Sequence, residues 1–282
     1  MSVDVSPFDV SAAAGVSALR TEGRAHLKVE RLAGQTVAVD IEEEGPLRLR
    51  FPRTAADGVL EAIIVNTGGG IAGGDRLRFE VEAQPGTKVA LTSQAAEKIY
   101  RSSGRDAEIA VYLSAEKGAS LTWAPQESIL FDRARVARTI EADVAADAAL
   151  TICESIVFGR TAMGEAVVSG LLKDRWRVRR DGRLVFADAV TLDGTIQKIL
   201  DRPAVSRGAI AAGTIVRLAP DAEAKIDAVR AALAIGGVEA GASAFDGMMV
   251  VRILAHDSIG LRAAVLATLS ALGASPPRAF TL

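Results

Sequence analysis

Cysteine and histidine are nearly missing from this chain, whose 282 residues hold one cysteine and two histidines, with aromatics at 4%. Structural zinc sites draw four ligands from those residue types at recognised spacings. Three such residues in all exclude a closed soft-ligand metal centre within one chain. Cys153 has no internal disulfide partner, and a secreted chain would ordinarily pair its cysteines, so a reducing cytosol is the expected compartment. A surplus of one charge is also lacking. With 33 basic and 35 acidic residues, the net charge is −2 and the pI about 5.9, which is not the footprint of a nucleic-acid binder. No segment approaches the roughly 20 apolar residues that span a bilayer. The first residues carry Asp4 and Asp9 rather than a basic start and an apolar run, so no secretory signal is expected. The expectation is a soluble, cytoplasmic protein with neither nucleic acid nor membrane as partner.

What the sequence does hold is period-2 alternation. Leu47 to Phe51 and Arg76 to Glu82 place apolar residues on one side and charges on the other, the pattern of half-buried strands. Similar segments recur at Leu27 to Glu30, Val59 to Val65, Lys88 to Thr92, Glu108 to Leu113, Ser120 to Trp123, Val136 to Val144, Leu150 to Phe158, Leu184 to Leu192 and Met248 to Leu254. Turn signals such as Pro85-Gly86, Lys117-Gly118, Asp181-Gly182 and Asp193-Gly194 separate many of them. The basic cluster at Lys173 to Arg183 alternates in the same way, so one charged strand face accounts for it. Helical periodicity is confined to the last quarter. Asp221 is placed to cap a helix through Ile226, Val229 and Leu233, and Ser258 to cap one through Leu261, Val265, Leu269 and Leu272, with glycines ending both. Strands without intervening helices argue against βαβ units. The reading is one mostly β domain over 1–282, elongated or layered, with about two helices toward the C-terminus and a poorly ordered segment over 1–22.

Chemistry-bearing motifs are sparse. Gly68, Gly70 and Gly73 satisfy a G-x-G-x-x-G spacing, but a dinucleotide site needs a helix N-terminus after the glycines, and the residues after Asp75 alternate as a strand. No Gly-Lys-Ser/Thr follows to make a P-loop. Close backbone approach or positive φ is the simpler reason for such a loop. His26 lies on a strand-like segment, His256 beside Asp257 at a helix start, and Cys153 among Ile152, Ile156 and Val157. The histidines have no nucleophile nearby in sequence, and Cys153 reads as a buried, inert thiol. Met248-Met249 reads as strand core.

Carboxylates and amides remain, set in segments of small or apolar residues. GGGIAGGD (68–75), LTSQAAEKIYRS (91–102), WAPQESILFD (123–132) and FGRTAMGE (158–165) follow one another in the order and approximate spacing of the UreD, or UreH, urease accessory proteins. The chain resembles that family from about Gly23 to a terminal Pro-Pro-Arg-Ala-Phe. It departs from the usual pattern at Thr92-Ser93, where two threonines are common, and at Ala124, where leucine is common. The resemblance implies a β-helical fold with helices toward the C-terminus and a role as a non-enzymatic chaperone in nickel insertion. It implies a complex with the helical protein UreF and the nickel-carrying GTPase UreG, in a dimer of complexes that docks on apo-urease.

Within that frame, ion chemistry favours carboxylates. Imidazole and thiolate hold nickel tightly, whereas carboxylates and water hold it weakly enough to pass on, and a conduit needs sites that an ion can leave. Asp75, Glu97, Glu127, Asp132, Glu154 and Glu165 are the expected transient nickel path, with no cofactor bound tightly. The competing reading of these residues is a set of salt bridges that hold the core. An alternative function is a β-rich hydrolase or isomerase with Glu127 and Asp132 as acid and base. A third is a scaffold through which no ion passes.

Overall fold

A computed structural model of the chain describes residues 20–52, 58–160 and 163–274. The first sheet comprises β1 (Glu22–Leu32), β2 (Gln35–Glu44), β5 (Arg76–Ala83), β8 (Ala107–Ala115), β11 (Arg135–Val144), β13 (Gly170–Arg180) and β14 (Arg183–Gly194). The second comprises β3 (Leu47–Arg50), β4 (Leu60–Asn66), β6 (Lys88–Ser93), β9 (Ser120–Trp123), β12 (Ala149–Phe158), β15 (Ala211–Leu218), β16 (Val238–Phe245) and β17 (Met248–Ala255). Of two short strands, β10 (Ser128–Leu130) pairs with the end of β12 and β7 (Glu97–Ile99) pairs with β10.

From β4 to β13 the chain alternates between the sheets, so β5, β8, β11 and β13 are parallel neighbours in one while β4, β6, β9 and β12 are parallel neighbours in the other. Parallel strands need a crossover. Here each crossover is a strand of the opposite sheet, which is why no helix is required and why the result is a stack of flattened coils. At one edge the coils turn tightly at 84–87, 116–119 and 145–148, each closed by a hydrogen bond from the fourth N–H to the first carbonyl at 2.8–3.2 Å. These turns stack, with Gly86 N–H donating to the Lys117 carbonyl at 2.9 Å.

The coil interior is filled by the inward phase of each strand, such as Leu77, Phe79 and Val81 of β5, and Val136, Ile140 and Ala142 of β11. A second apolar cluster lies on the other face of the second sheet, under α2 (Ile226–Ala232) and α3 (Ser258–Ala271). β12 is therefore buried on both faces, and Cys153 is fully enclosed, with burial pushing its thiol pKa up. Met248 and Met249 are core, as read from the sequence. Among the described residues no helix is long and apolar enough to cross a membrane.

The helices differ in detail from the sequence reading. A five-residue helix, α1 (Ile196–Leu200), was not expected; it buries Ile196 and Leu200. The residue that caps α3 is Asp257, which accepts the Gly260 N–H at 2.7 Å, rather than Ser258. Asp221 caps no helix among the described residues; it pairs with Arg217 at 2.9 Å and Lys225 at 3.0 Å ahead of a 3₁₀ turn. Residues 1–19 and the Pro-Pro-Arg-Ala-Phe ending lie outside the described residues. Thr21 and Glu22, placed in the N-terminal segment by sequence, already belong to the fold, with Arg76 N–H donating to the Thr21 carbonyl at 2.9 Å.

Candidate functional site

The described residues of all four sequence segments fall at the edge opposite the tight turns, in the longer connections of successive coils. They stack rung on rung. Glu97, Ser128 and Ile156 are in register, as are Ile99, Leu130 and Phe158, and Ile71 of the glycine loop bridges to Ile99. The glycines are needed for this stacking. A side chain at Gly70 would begin 2.8 Å from Tyr100 Cζ and 2.9 Å from the Lys98 carbonyl oxygen, at φ +151°.

The six carboxylates occupy different settings on this edge. Asp75 is buried, and its two oxygens accept the N–H groups of Thr21 at 2.9 Å and Ala72 at 2.8 Å. Glu127 meets Arg262 of α3 at 2.9 Å. Asp132 accepts Ser169 N–H at 3.0 Å, and Glu165 pairs with Arg160 at 2.6 Å. Glu127 and Asp132 thus face separate partners. Glu97 differs: its side-chain partner is the neutral amide of Asn66 at 3.1 Å, and burial raises its pKa.

Glu154 lies deepest. It projects into the coil interior, where its carboxylate accepts Trp123 Nε1–H at 2.8 Å and pairs with Arg138 Nη1. Arg138 also grips Asp174 with two parallel bonds, Nε to Oδ1 at 3.0 Å and Nη2 to Oδ2 at 2.6 Å, and Trp176 Nε1–H donates to the same Asp174 Oδ1. All three charged residues are less than a tenth exposed. Burial raises the Glu154 pKa against the opposing pull of Arg138 and Trp123. Burial also disfavours the Arg138 charge, but the two carboxylates outweigh it and raise its pKa.

Two cavities meet at this cluster. One, of about 60 Å³, is lined by Glu97, Ser93, Gln126 and Ser128 as well as Arg138 and Glu154. The other, of about 290 Å³, shares Arg138 and Glu154 and runs past Asp174 toward Val190 and Val205. The structure therefore brings Glu97 and Glu154 to one cavity. Asp75, Glu127, Asp132 and Glu165 are not among the residues lining it.

The profile of a family described as UreD urease accessory protein matches residues 21–279. This chain belongs to the UreD family. A urease accessory protein UreD of Rhodopseudomonas palustris strain BisB18 is 46% identical over 275 residues, covering 97% of this chain and 99% of the relative. Urease accessory protein UreD 3 of Bradyrhizobium sp. strain BTAi1 is 48% identical over 267 residues, 94% of this chain and 95% of the relative. A UreD of Methylobacterium sp. strain 4-46 is 48% identical over 251 residues, 87% and 89% of the two chains. The UreD resemblance and the mostly β fold read from the sequence are both borne out.

Sequence reasoning missed Arg138 and Asp174, although a signal for them exists. Arg138 occupies the interior phase of β11 between Val136 and Ile140, and Asp174 that of β13 between Leu172 and Trp176. A charge on an apolar phase marks a buried polar cluster, and the register sets these two directly opposite each other.

Proposed function

We propose that this UreD-family chain works in the cytoplasm as a non-catalytic accessory factor in nickel insertion into apo-urease. It acts in a dimer of complexes with the helical protein UreF and the GTPase UreG, and it holds no cofactor tightly. Family membership supports the accessory role. The lack of a P-loop in the sequence supports assigning nucleotide hydrolysis to a partner.

For the path itself, the supporting observation is the meeting of two cavities at Glu154. Nickel, as cargo, enters past Glu97 and reaches Glu154, where it competes with the Arg138 guanidinium for the carboxylate. That competition keeps the site weak, as transfer requires. Asp75, Glu127, Asp132 and Glu165 serve the path indirectly by fixing the stacked edge. A scaffold without ion passage is the second reading, favoured by the local partners that these four already have. Deleting the chain should leave urease abundant but nearly free of nickel and inactive. Full nickel occupancy in the deletion strain at physiological nickel would refute the accessory role.

A further inference from the structure

The outer face of the first sheet carries a group of ligands that none of the preceding chemistry uses. His26 on β1 lies directly opposite Glu42 on β2, and Asp40 stands two pairs along on the same face, opposite Lys28. One ligand atom from each of His26, Asp40 and Glu42 falls within 4.8 Å of the others. Ligands held about 2.0–2.2 Å from one ion lie roughly 3–3.5 Å apart, so a small inward movement of exposed carboxylate chains closes the set. A β-bulge follows at once, between Lys28 and Val29, the kind of irregularity that re-aims side chains beside sites.

His26 points away from the coil interior, yet its side chain is only 9% exposed. Its Nε2 lies 3.2 Å from Glu82 Oε1. An ionised carboxylate only accepts, so Nε2 donates to Glu82, and in the neutral imidazole that binds a metal the lone pair is then on Nδ1. That Nδ1 is buried, has no hydrogen-bond partner among the described residues, and faces Asp40 Oδ2 at 3.9 Å. A lone pair aimed at a carboxylate is repulsive unless a metal ion or a proton lies between them, and 3.9 Å is too long for a hydrogen bond from a protonated Nδ1. An imidazole whose other nitrogen donates to a carboxylate is also the usual form of a metal-binding histidine. The surroundings are short of positive charge. Asp40, Glu42, Glu80 and Glu82 are set against Arg24, which pairs with Glu42 and Glu80, and Arg78, which pairs with Glu80. Two negative charges are left over, and Lys28 is matched by Glu30.

We infer that His26 Nδ1, Asp40 and Glu42 form a binding site for a divalent first-row transition ion, with Glu82 as the residue that positions the imidazole. The nitrogen ligand selects zinc, nickel, cobalt or copper over calcium and magnesium, which take oxygen. The site is separate from the Glu97–Glu154 cavities, and its test does not depend on urease activation.

The test is equilibrium dialysis of the full-length chain against zinc chloride, nickel chloride or calcium chloride, with bound metal counted by mass spectrometry. Wild type should bind one more equivalent of zinc or nickel than His26→Ala, and the bound nickel should show imidazole nitrogen in its absorption edge fine structure. Glu82→Gln should weaken that equivalent about 10- to 100-fold, a change that a merely structural residue would not cause. Should His26→Ala fail to fold by circular dichroism, Asp40→Asn with Glu42→Gln decides the question, because both side chains are substantially exposed. Equal zinc and nickel binding by the wild type and that double variant would overturn the site. Calcium bound as well as nickel would overturn the assigned metal class.

Discussion

Replacing Arg138 with methionine removes the guanidinium that holds Glu154 and Asp174 while keeping a side chain of similar length. Two carboxylates, Glu154 and Asp174, would then face each other at less than a tenth exposure, each keeping one indole N–H donor. Removing one partner of a buried ion pair costs about 3–5 kcal/mol, because the remaining charge is left uncompensated. The loss should depend on pH. Burial holds the folded-state pKa of Glu154 above the ordinary carboxylate range. Between those two values the folded chain keeps a proton that the unfolded chain has released, so stability falls as pH rises through the window. Without Arg138 that pKa moves higher still, and the penalty at pH 8 should exceed that at pH 5.5. Glu154→Gln in the same background should recover part of the loss. The assay is urea unfolding followed by tryptophan fluorescence, well suited here because the chain's two tryptophans, Trp123 and Trp176, are the donors of the cluster. A loss below about 1 kcal/mol that is equal at both pH values would refute this account of the interior charges.

Gly70→Ala should cost about 2–5 kcal/mol, from overpacking against Tyr100 together with backbone strain. Gly69→Ala, at φ +74° with open space around it, should cost only about 1 kcal/mol of strain, and equal melting temperatures for the two variants would contradict the stacked edge. Glu97→Gln should flatten the pH dependence of stability, because burial raises the Glu97 pKa and wild type loses stability as pH rises from the ordinary carboxylate value through the raised one; parallel stability–pH curves would argue against it. Asp257→Ala should cost about 1 kcal/mol through loss of the α3 cap, while Ser258→Ala should leave the unfolding midpoint nearly unchanged.

Strands such as β5 were legible because one face is buried and the other wet, so RLRFEVEA alternates in burial along its length. β15 was not, because AAGTIVRL is covered by the coil interior on one side and by α3 on the other. β2 failed for the opposite reason, as an edge strand largely open to solvent. β7 and β10 are three residues each and exist only because neighbouring connections stack. Leu269 and Leu272, read from sequence as part of one apolar helix face, are buried against α2 and the second sheet. At the site, the resemblance located the edge segments, but it gave no hint that Glu154 alone among the six would reach the interior. That followed from strand phase, with Glu154 in line with Ile152 and Ile156 on the inner face of β12. His26 was legible only as a strand residue, since its partners come from β2 and β5 and meet it through pairing alone.

The nickel path proposed above runs past Glu97 and Glu154. Its most direct test is the nickel content of urease matured with Glu97→Gln/Glu154→Gln in place of the wild-type chain, at limiting nickel and with assembly of the accessory complex verified. Intact assembly and urease with well under half of the wild-type nickel are expected, whereas wild-type nickel content in an equally assembled complex would contradict the path.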